Sequence, residues 1–347
     1  MAPHRSGPNL SRIAASLGVS VASVSNALSG KGRVSAELGE RIRATATALG
    51  YVPSQAGRAL RTGRSSVLGL VLPDIANPLF PQIAQAIEYA ASVAGYGTLI
   101  ADSRGSIAQQ TEAIGRLLER GVDGMVIVPR RGTRVADIGC PVAVIDTPST
   151  PGNTVSADHW HAGAQIARHL IDLGHRKILV LGNNPASNVQ NDRIGGIKSA
   201  LSKDARAEVL WVETIESQHG VGCLLGLAEK AGQGFTAFAA VSDLPALRAL
   251  TELQQAGIGV PDKVSVTGFD DLIWSSVVRP GITTMRMDMK TIAEIAINAL
   301  VETIEQNVPK AVLADDVPPA HRVVTASLSR VPMQLIARQS SGPPGEA

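Results

Sequence analysis

Two cysteines in 347 residues, Cys140 and Cys223, are too few to staple a chain of this size. Both sit among apolar sequence neighbours and read as reduced, structural thiols, which fits a reducing compartment. No run approaches the ~20 apolar residues needed to span a bilayer. The first residues carry neither an apolar leader core nor a cleavage site. A cytoplasmic protein with no membrane partner is therefore expected. Neither G-x-G-x-x-G after a strand nor G-x-x-x-x-G-K-[ST] occurs, so neither phosphate-cradling loop argues for nucleotide binding. His159 and His161 lack matching metal ligands. Asp270 and Asp271 are adjacent rather than spaced across a cleft as an acid/base pair, and no nucleophile–His–acid arrangement can be argued. The expectation is a protein without metal or cofactor that is not an enzyme. Leucine heptads are missing near the C-terminus, which excludes a tetramerising coiled coil. The Pro/Gly-rich end, Ser341-Gly-Pro-Pro-Gly-Glu-Ala347, suggests a disordered tail over 331–347 and a dimer as the assembly.

What is present divides the chain. The length suits two or three domains with a substantial core. Residues 1–66 hold nine basic and two acidic residues, a charge of +7, whereas the rest hold 23 basic and 28 acidic, a charge of −5. A basic head on a mildly acidic body points to a polyanion partner for the head alone.

The head has the pattern of a helix-turn-helix. Asn9 is placed to cap a helix over 10–17, where Leu10, Ile13, Ala14 and Leu17 share one apolar face. Gly18 ends it by supplying a positive φ, and Ser20 caps a second helix over 21–28. Val24, Ala27 and Leu28 face inward, leaving Val21, Ala22, Ser25 and Asn26 outward, where a recognition helix meets base edges. Asn26 suits a base or phosphate, Ser25 a phosphate, and Val21 and Ala22 thymine methyls. Lys31 and Arg33 follow in a loop that suits phosphate contacts. Ser35 caps a third helix, 36–49, stopped by Gly50. A short segment begins at Pro53-Ser54 and ends at Gly63. It spans about two turns and contains Gly57, which costs roughly 1 kcal/mol against Ala, so it is expected to order only with help from DNA and a dimer partner.

From Val67 onward, strand-like apolar runs alternate with helical stretches. The strands fall at 67–72, 98–101, 124–128 and 142–145, then at 177–181, 208–212, 238–241 and 264–268. Helices are expected near 80–94, 107–120, 161–173, 190–202, 218–231, 244–256 and 288–307. Such alternation implies parallel sheets covered on both faces, in two similar lobes, with ligands beyond the carboxyl ends of the strands.

Ile13-Ala14, Gly18-Val19-Ser20, Val24-Ser25, Val34-Ser35, Leu49-Gly50-Tyr51-Val52-Pro53 and the run from Ala56 to Arg64 resemble the lactose/galactose repressor family of bacterial transcriptional regulators. In the body, Asp74-Ile-Ala-Asn77-Pro78-Leu-Phe80, Val122-Asp123-Gly124, Leu173-Gly174-His175, Arg193-x-Gly195-Gly196 and Gly268-Phe269-Asp270-Asp271 stand in that family's order. The resemblance covers residues 9 to about 328.

It implies an all-α helix-turn-helix head over 1–52, a hinge helix and linker over 53–65, and a two-lobed α/β periplasmic-binding-protein-like core over 66–330. The first lobe would comprise about 66–160 plus 288–320, and the second about 161–287. In the family two hinge helices of a dimer enter the minor groove, and a leucine, matched here by Leu60, wedges between base pairs. Arg58 matches a position beside that groove. Ser20 and Tyr51 complete the DNA-facing set.

For a small-molecule effector, sugar-like or possibly a nucleoside, the resemblance and the strand-end positions point to Asp74, Asn77, Asp146, Arg193 and Asp270. Their carboxylates and guanidinium suit vicinal hydroxyls. Phe80 and Trp274 would stack on an apolar sugar face, while Asp271 would brace the loop. Ser242 stands where the family usually has asparagine. The implied function is a ligand-responsive repressor that binds a pseudo-palindromic operator on double-stranded DNA as a homodimer. A co-repressed regulator, an activator and a solute-binding receptor are the alternatives.

Overall fold

The computed structural model describes residues 9–29, 34–51, 63–306 and 329–345. The chain forms two compact units, Met1–Ser65 and Ser66–Ala347.

In the first unit, α1 (Leu10–Leu17) starts where the Asn9 side chain accepts from the Arg12 amide at 3.0 Å, and it ends at Gly18 with φ 66°. The Ser20 hydroxyl accepts from the Ser23 amide at 3.0 Å at the start of α2 (Val21–Ser29), and Ser35 caps α3 (Ala36–Ala48). Ile13, Ala14, Val24, Ala27, Ile42 and Ala46 make a small closed core, with Leu10, Val19 and Tyr51 packed at its edge.

The second unit has two sheets. The first runs β11-β5-β4-β3-β1-β2, all parallel. It uses β1 (Val67–Leu72), β2 (Gly97–Asp102), β3 (Gly124–Ile127), β4 (Val142–Ile145), β5 (Asn153–Ala157) and β11 (Ser329–Val331). Helices α4 (Leu79–Val93), α5 (Ile107–Glu119) and α12 (Met289–Gln306) belong to this lobe.

The second sheet runs β12-β10-β9-β8-β6-β7. It uses β6 (Lys177–Gly182), β7 (Arg206–Trp211), β8 (Ala237–Ala240), β9 (Ser265–Phe269), β10 (Thr283–Arg286) and β12 (Gln334–Ile336), the last antiparallel to β10. Its helices are α6 (His159–Asp172), α7 (Asn188–Ser199), α8 (Val212–His219), α9 (Leu227–Gly232), α10 (Asp243–Gln255) and α11 (Ile273–Val277). The chain passes between the lobes after β5, after β10 and between β11 and β12.

Three expectations are corrected. The expected helix over 218–231 is two short helices, because Gly220, Gly222 and Gly226 between them all hold positive φ. The polar strand β5, Asn-Thr-Val-Ser-Ala, carried too weak an apolar signal to be read as a strand, yet it is wholly buried. The segment 331–345 is not a loose tail. It supplies β12, and Ser340 is fully buried, its hydroxyl donating to the Val266 carbonyl at 2.5 Å and accepting from the Thr283 amide at 2.9 Å.

Helices α6 and α7 cross with almost no separation. A Cβ on Gly196 would lie 1.9 Å from the Trp160 carbonyl oxygen, and one on Gly163 would lie 2.2 Å from that of Arg193. Glycine is required at both positions because backbone meets backbone. This crossing carries Arg193 on α7 up to His159 at the start of α6.

Candidate functional site

In each sheet the strand order reverses about one strand, β1 in the first and β6 in the second. Crevices open beyond the carboxyl ends at such points. Here the two crevices face each other and form one cavity of about 580 Å³. The first lobe contributes Asp74, Asn77, Phe80, Arg130 and Asp146, with Met287, Met289 and Ile292 where the chain returns into α12. The second lobe contributes Asn183, Asn184, Asn188, Arg193, Glu213, Ser242 and Asp270. The first-lobe wall thus mixes apolar side chains with Asp74, Asn77, Arg130 and Asp146, and the second-lobe wall is rich in amides and charge.

The centre of the polar wall is an ion pair. The Arg193 Nη2 donates to Asp270 Oδ1 at 2.9 Å, and both side chains are only 3% exposed. Arg193 Nη1 donates to the Val241 carbonyl at 2.6 Å, and Nε donates to His159 Nδ1 at 3.3 Å. The guanidinium also lies 4.7 Å from the centre of the Phe269 ring. Burial, joined by the Arg193 charge, holds the His159 imidazole well below its usual pKa. The ring is neutral, so Nδ1 can accept, and Nε2 carries the proton. Burial raises the Asp270 carboxyl and the Arg193 guanidinium opposes that shift. Among the described residues, three of the five guanidinium N–H groups are engaged.

A second polar group bridges the lobes. The Thr150 hydroxyl donates to Asp146 Oδ2 at 2.5 Å, and the Asn188 amide donates to Thr150 Oγ1 at 3.2 Å. Burial pushes Asp146 up to about 6, against the pull of these bonds.

Seven of the eight expected effector residues line this one cavity. Asp74 and Asn77 also serve local turns, accepting from the Ala76 and Leu79 amides at 3.0 and 3.1 Å. Ser242 makes no side-chain bond to cap α10 and lines the cavity. Trp274 is the exception. Leu272 is pinned inside the lobe, so α11 emerges on the outer surface with Trp274 41% exposed and away from the cavity lining. Sequence reasoning missed Arg130, Asn183, Asn184, Asn188, His159 and Glu213. Of these, only His159 stands out in the sequence, as half of a histidine pair without matching ligands.

The loop that carries Asp270 is strained. Asp270 has φ 99° and Asp271 φ 52°. Non-glycine residues in such conformations cost of order 1–3 kcal/mol each and persist where their surroundings hold them. Asp271 braces the loop, with Oδ2 accepting from Arg286 Nε and Oδ1 from Arg338 Nη2, each at 2.6 Å. Nearby, Asp243 accepts from Leu272 N, Ser275 Oγ and Thr284 Oγ1 at 2.6–2.7 Å.

In the head, Ser20, Val21, Ala22 and Asn26 are exposed on α2 and its cap, and Ser25 is half-buried. Tyr51 is half-buried against the head core, which explains its place by packing. Lys31, Arg33, Arg58, Leu60 and the expected hinge helix lie outside the described residues. Both cysteines are free, and burial pushes the Cys140 thiol up to about 12. Among the described residues, no helix is long and apolar enough to cross a membrane.

Comparison with known proteins covers both units. Residues 9–54 match the family described as bacterial regulatory proteins, lacI family, and residues 167–341 match the periplasmic binding protein-like domain. An HTH-type transcriptional regulator encoded in the aml 5' region of Streptomyces limosus is 33% identical over 318 residues, covering 86% of this chain and 88% of that protein. The lac repressor dimer bound to operator and the anti-inducer ONPF superposes with a TM-score of 0.78 at 22% identity, covering 97% of this chain and 99% of that one. A periplasmic binding protein/LacI transcriptional regulator from Alkaliphilus metalliredigens, complexed with D-xylulofuranose, gives a TM-score of 0.67 at 20% identity over 80% of this chain and 99% of its own.

Proposed function

The chain belongs to the lacI family of bacterial regulatory proteins, and from that premise we propose how it works as a DNA-binding transcriptional regulator. It represses as a homodimer on a pseudo-palindromic operator in the cytoplasm, and a sugar or sugar derivative that fills the cleft releases it. The observation that carries this reading is the cleft itself. Carboxylates from both lobes, Asp146 and Asp270, and the Arg193 guanidinium line a cavity of about 580 Å³ whose first-lobe wall also carries apolar side chains, Phe80 among them. A sugar presents a rim of hydroxyls for charged acceptors and donors, and an apolar ring face for Phe80. The D-xylulofuranose complex of the similar regulator supports the same ligand class.

The ligand acts by binding, without turnover, and is recovered unchanged. Three chain passages join the lobes, and the chain enters the first lobe at β1 directly from the linker. A ligand that binds one arrangement of the lobes more tightly than the other shifts the population between them, and with it the affinity of the head for DNA.

Two measurements test the reading. A thermal-shift panel of sugars, sugar phosphates and nucleosides should raise the melting temperature of the full chain by several degrees with one compound, since binding to the native state stabilises it. Operator affinity should then fall when that compound is added, and it should fall steeply with salt. Operator binding that strengthens with the compound would overturn the release mechanism.

A further inference from the structure

We propose that Arg338, in the C-terminal segment, is a positioning residue for the effector site and sets the place of the Asp270 carboxylate. The inference rests on reading the cleft as the effector site.

Two consecutive aspartates with positive φ, at 99° and 52°, need an external hold. Asp270 is held through its amide, which donates to the Met285 carbonyl at 2.8 Å, and through Arg193. Asp271 is held at its carboxylate by two arginines, and they are not equivalent. Arg286 is 51% exposed and its attraction is screened by water, whereas Arg338 is 15% exposed and meets an oxygen of a carboxylate that is 9% exposed.

Arg338 is itself rigidly placed. Its Nη1 donates to the Ile282 carbonyl at 2.8 Å, its amide donates to Thr283 Oγ1 at 2.9 Å, and Thr283 Oγ1 donates back to the Arg338 carbonyl at 3.2 Å. Two residues on, buried Ser340 joins β9 to β10 through Val266 and Thr283. One short segment thus ties together the two strands that flank the strained loop and clamps the loop by its second aspartate. Without Arg338, the Asp271 carboxylate keeps only its screened partner. The loop then relaxes toward ordinary negative φ, and Asp270 moves with it.

The test uses the full chain as parent, Arg338→Ala, Arg338→Lys and Arg286→Ala, and reads amide hydrogen exchange. In Arg338→Ala, the peptide covering 268–273 should exchange at least about tenfold faster than in the parent, with β1 and β6 unchanged. Arg338→Lys, which keeps the charge and one donor, should fall between the two, and Arg286→Ala should change least. The second readout is affinity for D-ribose, D-galactose, maltose and cellobiose. Any of these that binds the parent should bind Arg338→Ala at least about tenfold more weakly.

Unchanged exchange at 268–273 would overturn the proposal. Faster exchange throughout the second lobe would also overturn it, by making Arg338 a general stability residue, as would local loosening with undiminished sugar affinity. If none of the four sugars binds the parent, the affinity readout passes to the compound that stabilises the parent in the thermal-shift panel; if no compound of that panel binds, the ligand class proposed for the cleft fails, while exchange still decides whether Arg338 places the loop.

Discussion

Replacing Arg193 by methionine puts the polar wall of the cleft to a quantitative test. The substitution keeps a long side chain but leaves Asp270, 5% exposed, without its cation. It also takes the 2.6 Å donor from the Val241 carbonyl, removes the donor to His159, and lifts the guanidinium from the Phe269 ring. Breaking one side of a buried ion pair costs about 3–5 kcal/mol, chiefly because the remaining charge is stranded. At about 2–4 °C per kcal/mol for a body of this size, the melting temperature should drop by on the order of 10 °C. The stranded charge can then be removed by adding Asp270→Asn, since asparagine tolerates the positive φ at that position. The double variant should recover part of the loss and unfold in urea at a higher midpoint than Arg193→Met alone. Neither variant should bind the effector. A double variant that loses the full sum of the two single changes would refute the reasoning, because it would mean that the two side chains act independently.

Two further predictions rest on other parts of the second unit. Gly196→Ala places a methyl 1.9 Å from the Trp160 carbonyl oxygen. It should force α6 and α7 apart at a cost of about 1–3 kcal/mol or more, visible as a lower melting temperature; an unchanged value would contradict the close crossing. Asp146 is raised by burial from 3.8 to about 6, so its neutral form is favoured in the folded chain. Its contribution to stability is fully present below about 4 and is lost as pH rises through about 6, a change of about 3 kcal/mol. Asp146→Asn should remove that part of the pH dependence, and parallel pH–stability curves for parent and variant would contradict it.

The head was legible in the sequence because its signals are local. A cap at Asn9, a stop at Gly18 and an apolar face at 3.6-residue spacing each act within one turn. The parallel strands were legible for a similar reason, as continuous apolar runs. Segments whose place depends on distant partners were not. The C-terminal segment has the composition of a linker, but Arg338 and Ser340 are fixed by residues more than fifty positions away. Strand β5 is polar and hid its burial. Trp274 looked like a stacking platform from its neighbourhood to Asp270, yet the turn at Asp270-Asp271 and the anchoring of Leu272 direct α11 outward. His159 gave no sign of its role, because its partner Arg193 reaches it only through the glycine-lined crossing of α6 and α7.

The central claim is that occupancy of the cleft controls DNA binding by the head. The most direct measurement is the affinity of the full chain for an operator selected from random DNA, read by fluorescence anisotropy with and without the sugar that stabilises the parent in the thermal-shift panel. The account predicts that saturating sugar weakens operator binding at least about tenfold in the parent and leaves it unchanged in the Arg193→Met/Asp270→Asn variant. Equal operator affinity in the parent with and without bound sugar would contradict it.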